Sequence, residues 1–426
     1  MSDTIGQTTQ VCPDCGTEIH GDSRFTVWCP ACDWNVDPSG PREQPGGLER
    51  RRRRAADAYG EKLFAEVTHG RSLRPRRDAA GIAAYAVALC VHALTLALLV
   101  GGVLLLVYGW GIVMPVAGVL MLGFAWLLRP RFGRLPDDEP VLHRAEAPRL
   151  FALVDEVAAV AGTRGVDAIV VTAEVNASVT TYGVRGRRLL SIGLGLWEIT
   201  TPGQRVALLG HELGHYANGD SRHGLIIAKA LGSLTTWCRL LAPISSPTGW
   251  QVALTAMYLL PRWLFAGTLV LLDGLTLRAA QRGEYLADSL AAKAGSSDAA
   301  ATLMDRLTVA ESAETALRRE ANSGRIRGAG EASRTEPWQG LWKRLAAHMD
   351  SIPESEYERR RRVGALRGHS VDSTHPPTHL RRAALLAATP VAASVVTDTA
   401  AEEAIATELA PARERLAREL FSGWQG

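Results

Sequence analysis

Three residues in one pentapeptide have the types and spacing to cut an amide with a metal: His211, Glu212 and His215 of His211-Glu212-Leu213-Gly214-His215. On a helix, histidines four residues apart stand one above the other, so both imidazoles reach a single zinc while Glu212 lies beside its open position. This is the layout of a metallopeptidase; the plain alternative is a surface helix with two ordinary histidines. A catalytic zinc takes three protein ligands and a water, and the pentapeptide supplies two. The pattern HExxHxxGxxH would require glycine at 218 and histidine at 221, where the chain has Asn218 and Ser221, so that class is excluded and His223 reads as an ordinary helix-face histidine. A glutamate on a second helix is the other solution. In Arg282-Gly283-Glu284-Tyr285-Leu286-Ala287-Asp288, Glu284 can ligate the metal. Asp288, one turn on, can accept from the outer nitrogen of a ligand histidine and fix its tautomer and orientation.

A second metal site is legible at the N-terminus. Cys12-Pro13-Asp14-Cys15 and Cys29-Pro30-Ala31-Cys32 form two short knuckles that can give four thiolates to one tetrahedral zinc. A disulfide pair is the competing reading, and nothing before Cys12 resembles a secretory signal peptide. Residues 1–37 are too few to bury a core, so this ribbon folds around a structural zinc. Proline and glycine at 38–47 then read as flexible linker, which makes the ribbon a separate module on a tether, joined by a basic linker at 38–78. The remaining cysteines, Cys90 and Cys238, read as buried small apolar residues.

The elements that must position these groups follow from composition. At 426 residues the chain has room for two or three domains, and its net charge of +3 says nothing of a nucleic-acid partner. The distribution of charge says more. Arg50 to Arg54 form an unbroken run, Arg71, Arg74, Arg76 and Arg77 follow, and then no Asp, Glu, Lys or Arg occurs between Asp78 and Arg129. Residues 79–130 are read as a transmembrane hairpin broken at Gly109-Trp110-Gly111, with both arginine-rich flanks in the cytoplasm. Two later apolar stretches, 225–245 with Lys229 and Arg239 and 252–272 with Arg262, can span the bilayer, dip into it or lie at its surface. Ala168 to Thr172 and Leu189 to Ile192 read as strands, and Arg149 to Ala161 as an amphipathic helix with a stripe of Leu150, Leu153, Val154, Val157 and Val160. After Asp288 the chain reads as helical to its end, with a mobile loop at Gly324 to Arg334.

Taken together, His211-Glu-Leu-Gly-His-Tyr-Ala-Asn-Gly-Asp220, then Glu284-Tyr-Leu-Ala-Asp288, then Ser373-Thr-His-Pro-Pro-Thr-His-Leu-Arg-Arg382 resemble the HtpX-like and CAAX-prenyl-protease-like membrane metallopeptidases. Asn176-Ala177, Thr181-Tyr-Gly183 and Leu190-Ser-Ile-Gly-Leu-Gly-Leu196 fit the same pattern. The resemblance spans roughly residues 140–385, leaving the ribbon and a helical tail at 386–426 outside it. It implies a mostly α fold with a small β-sheet, a zincin-like domain with transmembrane helices. It implies His211, His215 and Glu284 as ligands of a catalytic Zn2+, Glu212 as general base, Asp288 behind a ligand histidine, and His375 steadying the oxyanion. Asn176 and Ala177 would lie on an edge strand that pairs with an extended substrate. The activity implied is that of a multi-pass cell-membrane endopeptidase with termini and active site in the cytoplasm, attacking membrane or misfolded proteins with a zinc-activated water. Its partners would be protein or peptide substrates and membrane lipid. No nucleic acid is expected, because arginines beside a membrane hairpin are a topology and anionic-lipid signal. The alternative function is a zinc-stabilised membrane scaffold or regulator whose ribbon binds nucleic acid or a protein.

Overall fold

A computed structural model describes residues 7–38, 40, 58, 60–69, 79–219, 222–242, 249–328, 338–367 and 376–422. In chain order its strands are β1 (Gln7–Val11), β2 (Glu18–Asp22), β3 (Val141–Leu142), β4 (Ala168–Thr172), β5 (Ala177–Tyr182) and β6 (Arg187–Gly193). Its helices are α1 (Ala79–Tyr108), α2 (Val113–Leu128), α3 (Pro148–Val160), α4 (Leu194–Trp197), α5 (Pro202–Gly219), α6 (Arg222–Leu240) and α7 (Trp250–Gly295). There follow α8 (Ser297–Thr308), α9 (Ala310–Gly328), α10 (Leu341–Asp350), α11 (Glu354–Arg367), α12 (Thr378–Ala387) and α13 (Thr399–Ser422). The chain divides into two compact units, Met1–Leu73 with Arg134–Ala217 and Gly283–Gly426, and Arg74–Gly133 with Asn218–Arg282.

In the first unit a four-stranded sheet of order β3-β4-β6-β5 has a parallel β4–β6 pair and antiparallel outer pairs. β4 reads Ala-Ile-Val-Val-Thr and is buried at every position, the composition of a strand covered on both faces. The stripe Leu150, Leu153, Val154 and Val157 of α3 joins Ile169, Val171, Leu190 and Ile192 of the sheet in one core with Val206, Leu209 and Leu213 of α5. β5 lies at the sheet's edge. Gly193 is required at the end of β6, because a Cβ there would stand 2.2 Å from the carbonyl oxygen of Glu174.

The contact between α5 and the C-terminal part of α7 is made by the smallest residues. A Cβ on Gly210 would lie 2.9 Å from Ala294 Cβ and 3.0 Å from Ala291 Cα, and one on Gly214 would lie 3.0 Å from Ala287 Cα. The end of α7 is closed by the chain beyond α12: the Ser394 and Val395 amides both donate to the Ala294 carbonyl, at 3.1 and 3.0 Å.

The residues read as an outlying helical tail belong to this core. Ile405, Leu409, Ala412, Leu416 and Ala417 of α13 are buried in it. Glu408 accepts from the Arg149 and Leu150 amides at 2.8 and 2.9 Å, capping α3, whose own first turn holds no acid. The N-terminal module is likewise seated rather than tethered at a distance, since Trp28 and Val36 pack on Val363 of α11. Within the stretch read as a mobile loop, residues up to 328 continue α9 and 329–334 lie outside the described residues.

In the second unit α1 and α2 form an apolar hairpin, closely packed where Gly102 and Gly118 each leave no room for a Cβ beside the other's carbonyl oxygen. Ala84, Ala88 and Val91 of α1 share a small core with Ala230, Leu234 and Trp237 of α6 and with Leu272. The cations that interrupt the later apolar stretches have local partners: Lys229 Nζ sits 5.3 Å from the Phe132 ring centre, and Arg262 donates to the Leu241 carbonyl at 3.0 Å. Cys90 is exposed and Cys238 half-buried, in contrast to the buried positions expected from sequence, because each falls outside the small apolar core of α1 and α6.

The glycine seam makes a stability prediction. Gly210→Leu drives a side chain into the α7 backbone and lowers stability by at least about 1–3 kcal/mol. Gly283→Ala, whose Cβ meets nothing within 4 Å, gains up to about 1 kcal/mol from helix propensity. Thermal unfolding of the two variants should move in opposite directions.

Candidate active site

α5 presents His211 and His215 from successive turns, and α7 brings Glu284 to them. The His211 and His215 Nε2 atoms are 3.2 Å apart, and the two Glu284 oxygens lie 3.5 Å from His211 Nε2 and 3.7 Å from His215 Nε2. The rings stand nearly perpendicular, at 86°. Ligand atoms about 2.0–2.2 Å from a tetrahedral zinc are separated by about 3.3–3.6 Å, and the three separations here, with Glu284 meeting each histidine through a different oxygen, lie close to that range.

Asp288, one turn beyond Glu284, has its Oδ1 at 3.0 Å from His211 Nδ1. A proton on Nδ1 is thereby held toward Asp288 and the Nε2 lone pair is left for the metal. Glu284 and Asp288 are 4% and 2% exposed, and Glu212 is buried as well.

One residue that sequence reasoning quoted without assigning a role completes the centre. Arg381, 6% exposed on the first turn of α12, donates from Nε and Nη2 to Asp288 at 2.8 and 2.6 Å and reaches Glu284 at 3.4 Å through Nη1. Its Nη2 also lies 3.3 Å from both ring nitrogens of His211. Burial would push the Asp288 carboxyl up. The Arg381 guanidinium, by charge and hydrogen bond, outweighs this and holds it well below the usual carboxylate range. Glu212 also acts electrostatically on Arg381. The Glu212, Glu284 and Asp288 carboxylates gather around the Arg381 guanidinium, a concentration of oxygen donors that suits a divalent cation. The donor set and the triangle both fit zinc.

Residues 144–389 match the model of Peptidase family M48. The chain belongs to that family. Membership makes it a zinc metallopeptidase, and no curated protein and no solved structure matches it.

The other expected residues divide. The peptidase carries Ala177 at the start of β5 and Asn176 just before it, with the Asn176 carbonyl accepting from Gly193 at 2.9 Å and its side chain accepting from the Ala177 amide at 2.9 Å. Among the described residues no strand pairs with the outer side of β5. A cavity of about 650 Å³ opens beside Asn176, between Val175 and the α9 residues Leu317 and Ala321. His375 lies outside the described residues, and His379 sits against α11 at Gly364. Tyr216, directly after His215, was also missed: its hydroxyl donates to the Thr180 carbonyl and lies 3.0 Å from the Leu189 carbonyl, fastening α5 across β5 and β6. Burial pushes the Tyr216 phenol up to about 12, so it remains a donor. A tyrosine beside a metal motif gives no such signal in one dimension.

At the N-terminus the four cysteines converge, with Sγ separations of 3.6 Å for Cys12–Cys32 and 3.5 Å for Cys15–Cys29. The knuckles repeat one geometry: Gly16 donates to the Cys12 carbonyl at 3.0 Å and Asp33 to the Cys29 carbonyl at 2.9 Å, both residues at φ near +60 to +75°. Thr17, through its hydroxyl and then its backbone, draws the Cys15 thiol down to about 6. The cluster fits a structural zinc.

Asp288→Asn removes the charge that Arg381 and His211 share. Zinc affinity at the catalytic triangle should fall about 10–100-fold, read by competition with a chelator while circular dichroism stays unchanged.

Proposed function

We propose that this peptidase is an integral-membrane endopeptidase with a cytoplasm-facing centre, cutting membrane or misfolded proteins. The observation that carries the chemistry is the convergence of His211, His215 and Glu284 within 4.8 Å of one another, with Glu212 on the same helix between the histidines. Zinc bound there supplies Lewis acidity, polarising the scissile carbonyl and acidifying a water. Glu212 takes a proton from that water and delivers it to the leaving amine nitrogen, so its carboxylate must be ionised at the start of the cycle and regenerated at its end. Asp288 and Arg381 keep His211 in the ligating tautomer. The outer edge of β5 offers backbone donors and acceptors to an extended chain, with Asn176 and Ala177 at the point where that edge begins. His375 remains the residue assigned to the oxyanion.

Membrane insertion is supported by two helices, Ala79–Tyr108 and Trp250–Leu277, whose best windows reach mean hydropathies of 2.5 and 1.4. α2 is shorter, and α6 is not apolar enough to join them. Leu99, Val103, Val107, Ile112, Val116 and Trp126 of the α1–α2 hairpin are all exposed, an amount of apolar surface that lipid accommodates better than water. Arginines on both outer flanks and an uncharged turn favour a cytoplasmic position for both ends of the hairpin.

Glu212→Gln should keep zinc and fold while slowing peptide cleavage by at least about 10²–10⁴-fold; proteolysis at the unsubstituted rate by a purified, zinc-loaded variant would overturn the mechanism. For topology, a cysteine at Gly109 should react with an impermeant thiol reagent from outside the cell, and reaction only from the cytoplasmic side would reverse the orientation.

A further inference from the structure

α11 has little apolar face of its own. Its buried residues are Glu356, Arg359 and Val363, and apart from the partly buried ring of Tyr357 its apolar hold comes from Trp28 and Val36 of the four-cysteine module, which enclose Val363. The polar contacts converge on the same stretch. The Trp28 indole donates to the Ser355 carbonyl at 3.2 Å, and Arg359 donates to the Val36 carbonyl at 2.8 Å. Arg362 donates to the Pro30 carbonyl and to Asp33, both at 2.7 Å, and Arg367 to Asp37 at 2.7 Å. Each of these partners lies in residues 28–37, around the knuckle of Cys29 and Cys32, where the backbone is neither helix nor strand. The shape of such a segment depends on the ion its cysteines share.

Beside the direct approach of His379 of α12 to Gly364 of α11, a second route from α11 to the catalytic centre runs through a carboxylate. Asp305 of α8 accepts from Arg361 of α11 at 2.9 Å, and the same oxygen lies 2.7 Å from Arg382 Nε of α12. Arg382 is the neighbour of Arg381. A short helix at 60–68 adds a second hold, with Leu63 packed against Ala384 of α12 and against Tyr285, the residue after Glu284. Helix α12 has ten residues, and its guanidinium at 381 makes bonds of 2.6 and 2.8 Å to Asp288 that a displacement of about 1 Å would break.

We propose that the four-cysteine module of Cys12, Cys15, Cys29 and Cys32, docked on α11 and acting through Asp305, positions Arg381 against Asp288 and Glu284, so that its docking sets the zinc affinity and turnover of the catalytic centre. This rests on His211, His215 and Glu284 being the catalytic zinc ligands. Asp305 is a positioning residue, because it touches neither the ligands nor the metal. The coupling is expected to be on the order of tenfold, the usual scale for residues that link two sites without contacting either ligand.

The test uses the full chain in detergent, with zinc as the probe. Trp28→Ala with Arg362→Ala and Arg367→Ala loosens the module's seat on α11 while leaving its four cysteines, and Asp305→Asn breaks the link at its centre. Both variants should keep Cys15 and Cys32 protected from alkylation by zinc. Both should also hold catalytic zinc about tenfold more weakly against a chelator, with kcat lowered and KM little changed. In an Arg381→Leu background neither change should weaken zinc further. Catalytic zinc affinity and kcat at the unsubstituted values in both variants would overturn the proposal. Failure of the underlying reading looks different: His211→Ala would then leave chelator-sensitive zinc outside the cysteines unchanged.

Discussion

Everything at the catalytic centre depends on two helices approaching to the distance that glycine and alanine permit. Ordinary helix pairs run about 8–10 Å apart according to the side chains between them, and the contact of α5 with α7 is at the small end because Gly210 and Gly214 face Ala287, Ala291 and Ala294. On α5 each contact residue comes one position before a candidate ligand, and on α7 Ala287 comes three positions after Glu284 and one before Asp288. Gly210 and Gly214 precede His211 and His215, and Ala287 precedes Asp288. One residue is a rotation of about 100°, so the ligating side chains emerge at the border of the closest contact and lean across it. Larger residues in the seam would separate the imidazoles from Glu284 while leaving every ligand in place along the sequence.

That approach concentrates charge where water is scarce. Glu212, Glu284 and Asp288 are all under a tenth exposed, and isolated carboxylates so placed would protonate rather than stay ionised. Arg381 counters part of this and gives the group direction: its fork bonds to both Asp288 oxygens, which fixes the carboxylate that in turn fixes His211. A lysine could supply the charge but not the two parallel bonds. A divalent ion held by His211, His215 and Glu284 would add positive charge to the same group of carboxylates.

Much of this was legible from residue type and spacing, and the reasons for the remainder are physical. His211, His215 and Glu284, and likewise the four cysteines, stand together as their types and spacing suggest, because metal ligation would demand particular side chains at helical or knuckle spacing. β4, β6 and α3 were legible because buried elements must repeat their apolar residues at the period of the backbone. Arg381 was not, since a cation among Arg381-Arg382 looks like solvated helix surface until Asp288 is opposite it. The seating of the N-terminal module was hidden for a related reason. Four consecutive arginines, 359 to 362, are each bound to acidic side chains of their own or a neighbouring helix, and two of them also hold the module. α13 went unrecognised as core because its pattern says only that one face is apolar, not where that face is buried.

A seam of glycine and alanine buries little apolar area per residue, about 0.8 kcal/mol for each buried methylene-sized group, so it cannot hold the two helices together unaided. The helices are instead fixed by what surrounds them. Tyr216 ties α5 to the carbonyls of two strands, residues 391–395 close the end of α7, and the apolar stripe of α13 fills the core behind α3. Residues 391–422 lie beyond the family match, which ends at 389. The fold therefore separates two tasks that compete for the same positions: small residues bring the ligands together, and larger ones elsewhere supply the burial that the small ones forgo.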